Sequence, residues 1–315
     1  MTRMSHMKIV DLSLFANLFV VGCIDDGQAA PDDVADAEDV EELEDIEDAP
    51  AGELDGLQAL APEPGSSVWS EVLLTDGTTQ QFMLHTTLAG EVVFEELSDE
   101  RFPQAPDLTT LPEQAAALGA CSDDAYILQG WRWKSALRWS FHAGSTPDEL
   151  TVDAAEAAIT AATASITSAR NSCGLADEVD ASHEYLGRKH KGANIGASGN
   201  CLTSDGDNVV SFGDLPQGVL ATACVWFHDG VATEGDVQLN KQDYTWTTNP
   251  GSASCSKRWS VRAVMTHERG HTFGLAHVGE STHGDLTMSP SINGPCQDSE
   301  STLGDGDVQG LAAMY

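Results

Sequence analysis

Short apolar runs first appear near residue 67: Val68-Trp69, Val72-Leu73-Leu74, Phe82-Met83-Leu84 and Val92-Val93-Phe94. Asp76-Gly77, between the second and third runs, is a hairpin signal. Together they predict a small β-rich region, followed by a Pro-containing connector over residues 103–112. Further along, Trp131, Trp133, Leu137, Trp139 and Phe141 alternate with polar or charged residues, the period expected of a half-buried strand. Ser145-Thr146-Pro147 then opens an Ala-rich segment, residues 152–170, in which Ile159 and Ile166 lie two helical turns apart, and Cys173-Gly174 punctuates its end. Short strands are expected around residues 184–186, 209–212, 222–227 and 237–240, separated by Gly, Asp and Asn turns. A second helix is expected over residues 259–273 and a short last one over 307–314. A helix against a sheet, followed by a second helix, describes an α+β domain of roughly 190 residues, a size that suits one core. No internal repeat is visible.

Charge changes this picture at the N-terminal end. No Lys or Arg occurs between Lys8 and Arg101, so much of the net charge of −35 belongs to the first third of the 315 residues. Residues 24–66 are mostly Asp, Glu, Ala and Pro, too polar to offset chain entropy by burial, and are expected to form a disordered acidic linker. Before them, Arg3 and Lys8 precede a mostly apolar stretch, residues 9–21, too short to span a bilayer comfortably but suited to a signal-peptide core. It ends in Val20-Val21-Gly22-Cys23, which resembles the lipobox of bacterial lipoproteins. The expected segments are therefore 1–23 as signal peptide, 24–66 as linker, 67–120 as pro-region and 121–315 as the chemically active domain. The expected location is secreted, periplasmic or on the outer surface, with Cys23 a candidate lipid anchor and membrane tether. The acidity argues against a nucleic-acid partner, which needs a basic footprint. A monomer is expected.

Apart from Cys23 the cysteines are Cys121, Cys173, Cys201, Cys224, Cys255 and Cys296, an even set confined to the globular part. That points to an oxidising compartment and up to three disulfides. Sequence order favours 121–173, 201–224 and 255–296 among the pairings open. No Cys-x-x-Cys pair competes as a metal or redox motif.

The chemistry concentrates in Val264-Met265-Thr266-His267-Glu268-Arg269-Gly270-His271-Thr272-Phe273-Gly274-Leu275-Ala276-His277. On a helix, His267 and His271 share one face and can bind one metal. Glu268 is a neighbour able to reach a water there without being a ligand. Gly274 lets the chain leave the helix, so that His277 can return as a third ligand. Three neutral imidazoles leave the fourth position of a zinc ion open, as in catalytic rather than structural sites. A bare His-Glu-x-x-His arises by chance in roughly 1% of chains this long, and the glycine and third histidine cut that a few hundredfold.

This stretch resembles the signature of the metzincin metallopeptidases, with Leu286-Thr287-Met288-Ser289-Pro290 as the Met-turn, Met288 lying eleven residues after His277. The matrixin-like group is the most similar: Gly218-Val219-Leu220-Ala221, Glu234-Gly235-Asp236-Val237 and Gly306-Asp307-Val308-Gln309-Gly310-Leu311 resemble its segments. The resemblance covers residues 131–315. It implies the metzincin catalytic fold, one catalytic zinc on His267, His271 and His277, and endopeptidase action on protein or peptide substrates through a metal-activated water, with Glu268 as general base.

Three departures bear on that implication. Where matrixins bind a second, structural zinc, this chain carries Thr222 and Gln238, so one zinc per chain is expected. Pro290 stands where related groups place a zinc-binding tyrosine. The cysteine of the usual matrixin pro-segment is absent; Cys121 in Gly119-Ala120-Cys121 is a candidate substitute, with a disulfide at Cys121 favoured because the remaining cysteines then count out evenly. Asp205-Gly206-Asp207-Asn208, Asp214 and Asp236 are candidates for a structural calcium, with a solvated turn the plainer alternative for the first cluster. His283 is expected at the surface or in the substrate groove. A secreted adhesive module without catalysis, and a zinc hydrolase of a non-protein substrate, stay open as alternatives.

Overall fold

The computed structural model describes residues 51–54, 57–59, 61–75, 78–97 and 119–315. The signal-like segment with Cys23, most of the acidic stretch, the Asp76-Gly77 turn and the Pro-containing connector lie outside the described residues. The first strands, β1 (Ala51–Leu54) and β2 (Leu57–Ala59), form a separate antiparallel pair. Then come β3 (Ser67–Leu74), β4 (Thr79–Thr86) and β5 (Val92–Glu96), the short β6 (Ile127–Leu128) and β7 (Leu137–His142). Helix α1 (Val152–Thr167) precedes β8 (His183–Lys189), β9 (Asn208–Gly213), β10 (Val219–His228), β11 (Val231–Asn240), β12 (Thr245–Thr247) and β13 (Arg258–Ser260). The chain closes with α2 (Val261–Thr272), β14 (Leu275–Ala276), α3 (Glu280–His283) and α4 (Asp305–Met314).

Local chemistry explains where the helices begin and end. The Thr151 hydroxyl accepts the Ala154 N–H at 3.2 Å and starts α1; the Ser260 hydroxyl accepts the Ala263 N–H at 3.2 Å and starts α2. Helix α1 stops three residues short of the expected end, because Ala169 turns to a φ of 41° and Asn171 ties the loop through Ala169 and Leu175. The alternating tryptophans divide differently from expectation. Only residues from Leu137 onward form a strand, while Arg132 makes an isolated parallel bridge to Val231. Trp131 and Trp133 are nevertheless buried with Trp139 in the main core.

The main sheet runs β5-β4-β3-β10-β11-β9-β7-β8. Its β9, β7, β8 and β11 neighbours pair in parallel, whereas β10 is antiparallel to both β11 and β3. A mixed sheet with few helices is the α+β class expected. Helices α1 and α2 pack with the sheet in the larger core, through Ile159, Ile166, Val264 and Met265 against Trp139, Val210 and Val225. A second core holds Val68, Val72, Phe82 and Leu84 against Ile195, Leu215 and Trp226. The disulfides are Cys121–Cys173, Cys201–Cys224 and Cys255–Cys296, the pairing that sequence order favoured.

The topology has one consequence for the site. Strand β3 lies along β10 from Val219↔Leu74 to Phe227↔Ser67. Residues 67–97 thus extend the sheet beyond β10, and the whole of β3 except its last residue is buried.

Candidate metal centre

Helix α2 places His267 and His271 one turn apart on the same side, and both are fully buried. At Gly274 the backbone enters the left-handed region, with φ 96°. A Cβ there would lie 2.2 Å from the Trp131 carbonyl oxygen, so both conformation and space require glycine. The chain then pairs Leu275 and Ala276 with β6 and delivers His277 back to the helix.

The three Nε2 atoms form a nearly equilateral triangle: 3.1 Å from His267 to His271, 3.1 Å from His271 to His277, and 3.2 Å from His277 to His267. His267 donates its Nδ1–H to the Thr287 carbonyl at 2.8 Å, and His271 donates to the Leu275 carbonyl at 2.9 Å. These bonds leave the inward Nε2 atoms of both rings as lone pairs. Converging lone pairs cannot bond one another, whereas a cation satisfies them together. The edges are close to the roughly 3.3 Å edge of a tetrahedron with zinc–nitrogen bonds of about 2.0–2.1 Å. Burial pushes the His277 imidazole down to about 4, which keeps it neutral, the form that binds metal.

Glu268 is fully buried, and neither carboxylate oxygen has a hydrogen-bond partner among the described residues. Burial, and then the neighbouring Glu71 carboxylate, push its carboxyl up to about 8. Met288 is buried against the underside of α2, where Gly270 makes room for it: a Cβ at Gly270 would stand 2.2 Å from the Met288 sulfur. The turn around Met288 is held from α4. The Asp307 carboxylate accepts the N–H groups of Thr287 at 2.9 Å, Met288 at 3.2 Å and Gly304 at 2.8 Å.

A further carboxylate, not anticipated from the sequence, faces the triangle. Glu71 of β3 places Oε2 2.9 Å from His271 Nε2, and Oε1 3.0 Å from His277 Nε2 and 3.5 Å from His267 Nε2. Gln81 of β4 donates to Glu71 Oε2 at 3.0 Å, and its side-chain nitrogen lies 2.8 Å from His277 Nδ1. Trp69 packs on His271 with ring centroids 5.2 Å apart. Glu71, Gln81 and Asp307 are the site residues that sequence reasoning missed. The available signal for Glu71 was an acidic residue two positions from Trp69 on one side and Leu73 on the other, in a strand of otherwise uncharged residues.

Other candidates lie elsewhere. Thr222 and Gln238 are direct cross-strand partners, with Gln238 bonded to the Ser211 hydroxyl at 3.3 Å and the Asp214 carbonyl at 3.4 Å. Asp205 pairs with Lys191 at 2.6 Å, Asp207 pairs with Lys189 and Lys191, and Asp236 accepts the N–H groups of Asn194 and Val209. The carboxylates of Asp205, Asp207 and Asp236 are thus engaged with ammonium and amide donors. His283 bonds Asp123 at 2.9 Å, away from the triangle, and Cys121 is bonded to Cys173. Among the described residues, the group able to hold a metal is Glu71, His267, His271 and His277.

Comparison with known families matches the Matrixin family over residues 202–315. No curated protein matches the chain.

Proposed function

Residues 202–315 match the Matrixin family, and from that likeness we propose that the chain is a matrixin-like, zinc-dependent endopeptidase in which His267, His271 and His277 hold the metal and Glu268 is the general base. The observation that carries this reading is the triangle of Nε2 atoms at 3.1–3.2 Å beside a buried carboxylate with no partner. Zinc, when bound, supplies Lewis acidity that acidifies a water and polarises a carbonyl. Glu268 accepts the proton of the attacking water and passes it to the departing amine. Its buried position beside the triangle, with both carboxylate oxygens uncommitted among the described residues, leaves it available for that transfer. Met288 and the Asp307-anchored turn fix the floor of the site and the orientation of His267.

In this reading residues 121–315 are the catalytic domain, residues 67–120 are removed before action, and each chain holds one zinc. Three disulfides fit an oxidising compartment, and among the described residues no helix is long and apolar enough to cross a membrane. We assign export to residues 1–23 and a lipid tether to Cys23. The test is hydrolysis of denatured protein by the processed, zinc-loaded chain, with and without a zinc chelator. Cleavage that persists in chelator, or its absence from the metal-replete protein, rejects the reading.

A further inference from the structure

We propose that Glu71 is the fourth protein ligand of the zinc site in the intact chain, so that the hairpin of β3 and β4 keeps the site closed through a carboxylate. The proposal rests on the zinc-peptidase reading above and adds the form in which the chain is made.

Position is the first argument. Glu71 lies between Trp69 and Leu73 on the face of β3 that joins the larger core, and its side chain is fully buried. An isolated carboxylate in such a place is costly unless a cation or several donors meet it. One neutral donor, the Gln81 amide, reaches Oε2; the remaining neighbours are the three Nε2 atoms. Protonating those nitrogens would crowd several cationic rings at separations of 3.1–3.2 Å. A single metal ion answers the lone pairs and the carboxylate together.

Register is the second argument. Glu71 stands opposite Ala223 on β10, within a ladder that continues to either side, and the small alanine leaves the carboxylate room to reach the histidines. A slip of one residue would turn Glu71 to the opposite face. Trp69, packed on both His271 and Trp131, locks the same register. A catalytic zinc site keeps one position open for water, and a site with four protein ligands is closed. Glu71 supplies that fourth ligand. Cys121 cannot do so as a thiol, since its sulfur is bonded to Cys173.

The experiment uses the full chain carrying Glu268→Ala, so that it cannot cut itself, loaded with cobalt(II) in place of zinc. Glu71→Gln and Glu71→Ala are added separately; glutamine preserves the volume buried in β3 should alanine impair folding. Visible cobalt absorption and titration with acetohydroxamate are the readouts. The parent should give a spectrum that acetohydroxamate scarcely changes. The Glu71 variants should show altered absorption and bind the hydroxamate at least about tenfold more tightly, as expected when a competing intramolecular ligand is removed. Equal spectra and equal hydroxamate affinity, with cobalt retained in all three proteins, overturn the role of Glu71 and leave the peptidase reading standing. Failure of all three proteins to retain cobalt overturns both.

Discussion

Gly270→Ala sets two effects of opposite sign against each other inside α2. Helix propensity alone favours alanine over glycine by about 0.5–1 kcal/mol. Packing opposes it: the new Cβ would stand 2.2 Å from the Met288 sulfur and 3.1 Å from its methyl carbon. Comfortable contact needs about 3.5–4.0 Å, so the sulfur must retreat by more than 1 Å. Met288 is poorly placed to do so. Its side chain is buried, its N–H is held by Asp307, and its carbonyl accepts the Val278 N–H at 3.0 Å. Overpacking of this kind costs about 1–3 kcal/mol; taking the upper part of that range, the net loss is about 1–2 kcal/mol. For a domain of this size the melting temperature should fall by about 2–8 °C. The same movement disturbs Thr287, whose carbonyl orients His267, so zinc affinity should weaken as well. Thermal melting of the zinc-free and zinc-loaded proteins measures both effects. Adding Met288→Ala, which alone should cost about 2–5 kcal/mol, removes the obstacle, so the double variant should be more stable than the sum of the singles by the full overpacking cost, about 2–3 kcal/mol. A Gly270→Ala protein that melts at or above the parent temperature, or strict additivity in the cycle, refutes the packing argument.

The remaining expectations concern the metal, the base and processing. Glu268→Ala should abolish measurable hydrolysis, a loss of about 10²–10⁴-fold or more for the proton-transfer step, while retaining zinc; His271→Ala should lose both, and equal zinc loss in the two would make Glu268 a ligand. Elemental analysis after exhaustive dialysis should find one zinc per chain, whereas a value near two would point to a second site around Thr222 and Gln238. Intact-mass analysis of the active species should show an N-terminus at roughly residue 110–125, since the Pro-containing sequence of residues 103–112 reads as a connector and connectors are preferred sites of nicking; full activity in a species that keeps residues 67–97 would contradict both the pro-region and the role given to Glu71.

The parts of the centre that could be read from the chain are those that local spacing encodes. His267 and His271 depend on one helical turn, His277 on a glycine that ends the helix, and Met288 on a turn a short distance on. Each of these relations is decided within about one or two elements, where propensity and periodicity act. Glu71 and Asp307 belong to another kind of relation. Asp307 works by accepting N–H groups of the Met288 turn from a separate helix, and nothing in residues 305–314 alone says which turn it holds. Glu71 reaches the triangle because β3 pairs with β10, a match between segments separated by well over a hundred residues and decided by face and shape complementarity. The misdivided tryptophan run has a similar origin: Trp131 and Trp133 bury their side chains as a strand would, but the backbone of Arg132 between them bridges to Val231 and stays outside β7. Glu71 still left a local trace. Flanked two residues away on either side by Trp69 and Leu73, its carboxylate shares their buried face, and a charge in that position needs a compensating group from elsewhere in the fold. A charge held between two large apolar neighbours on one buried face indicates that a compensating partner exists elsewhere in the fold. Here the residue type narrows the partner's chemistry to a cation or a set of donors, and the only long-range information still needed is which strand brings it there.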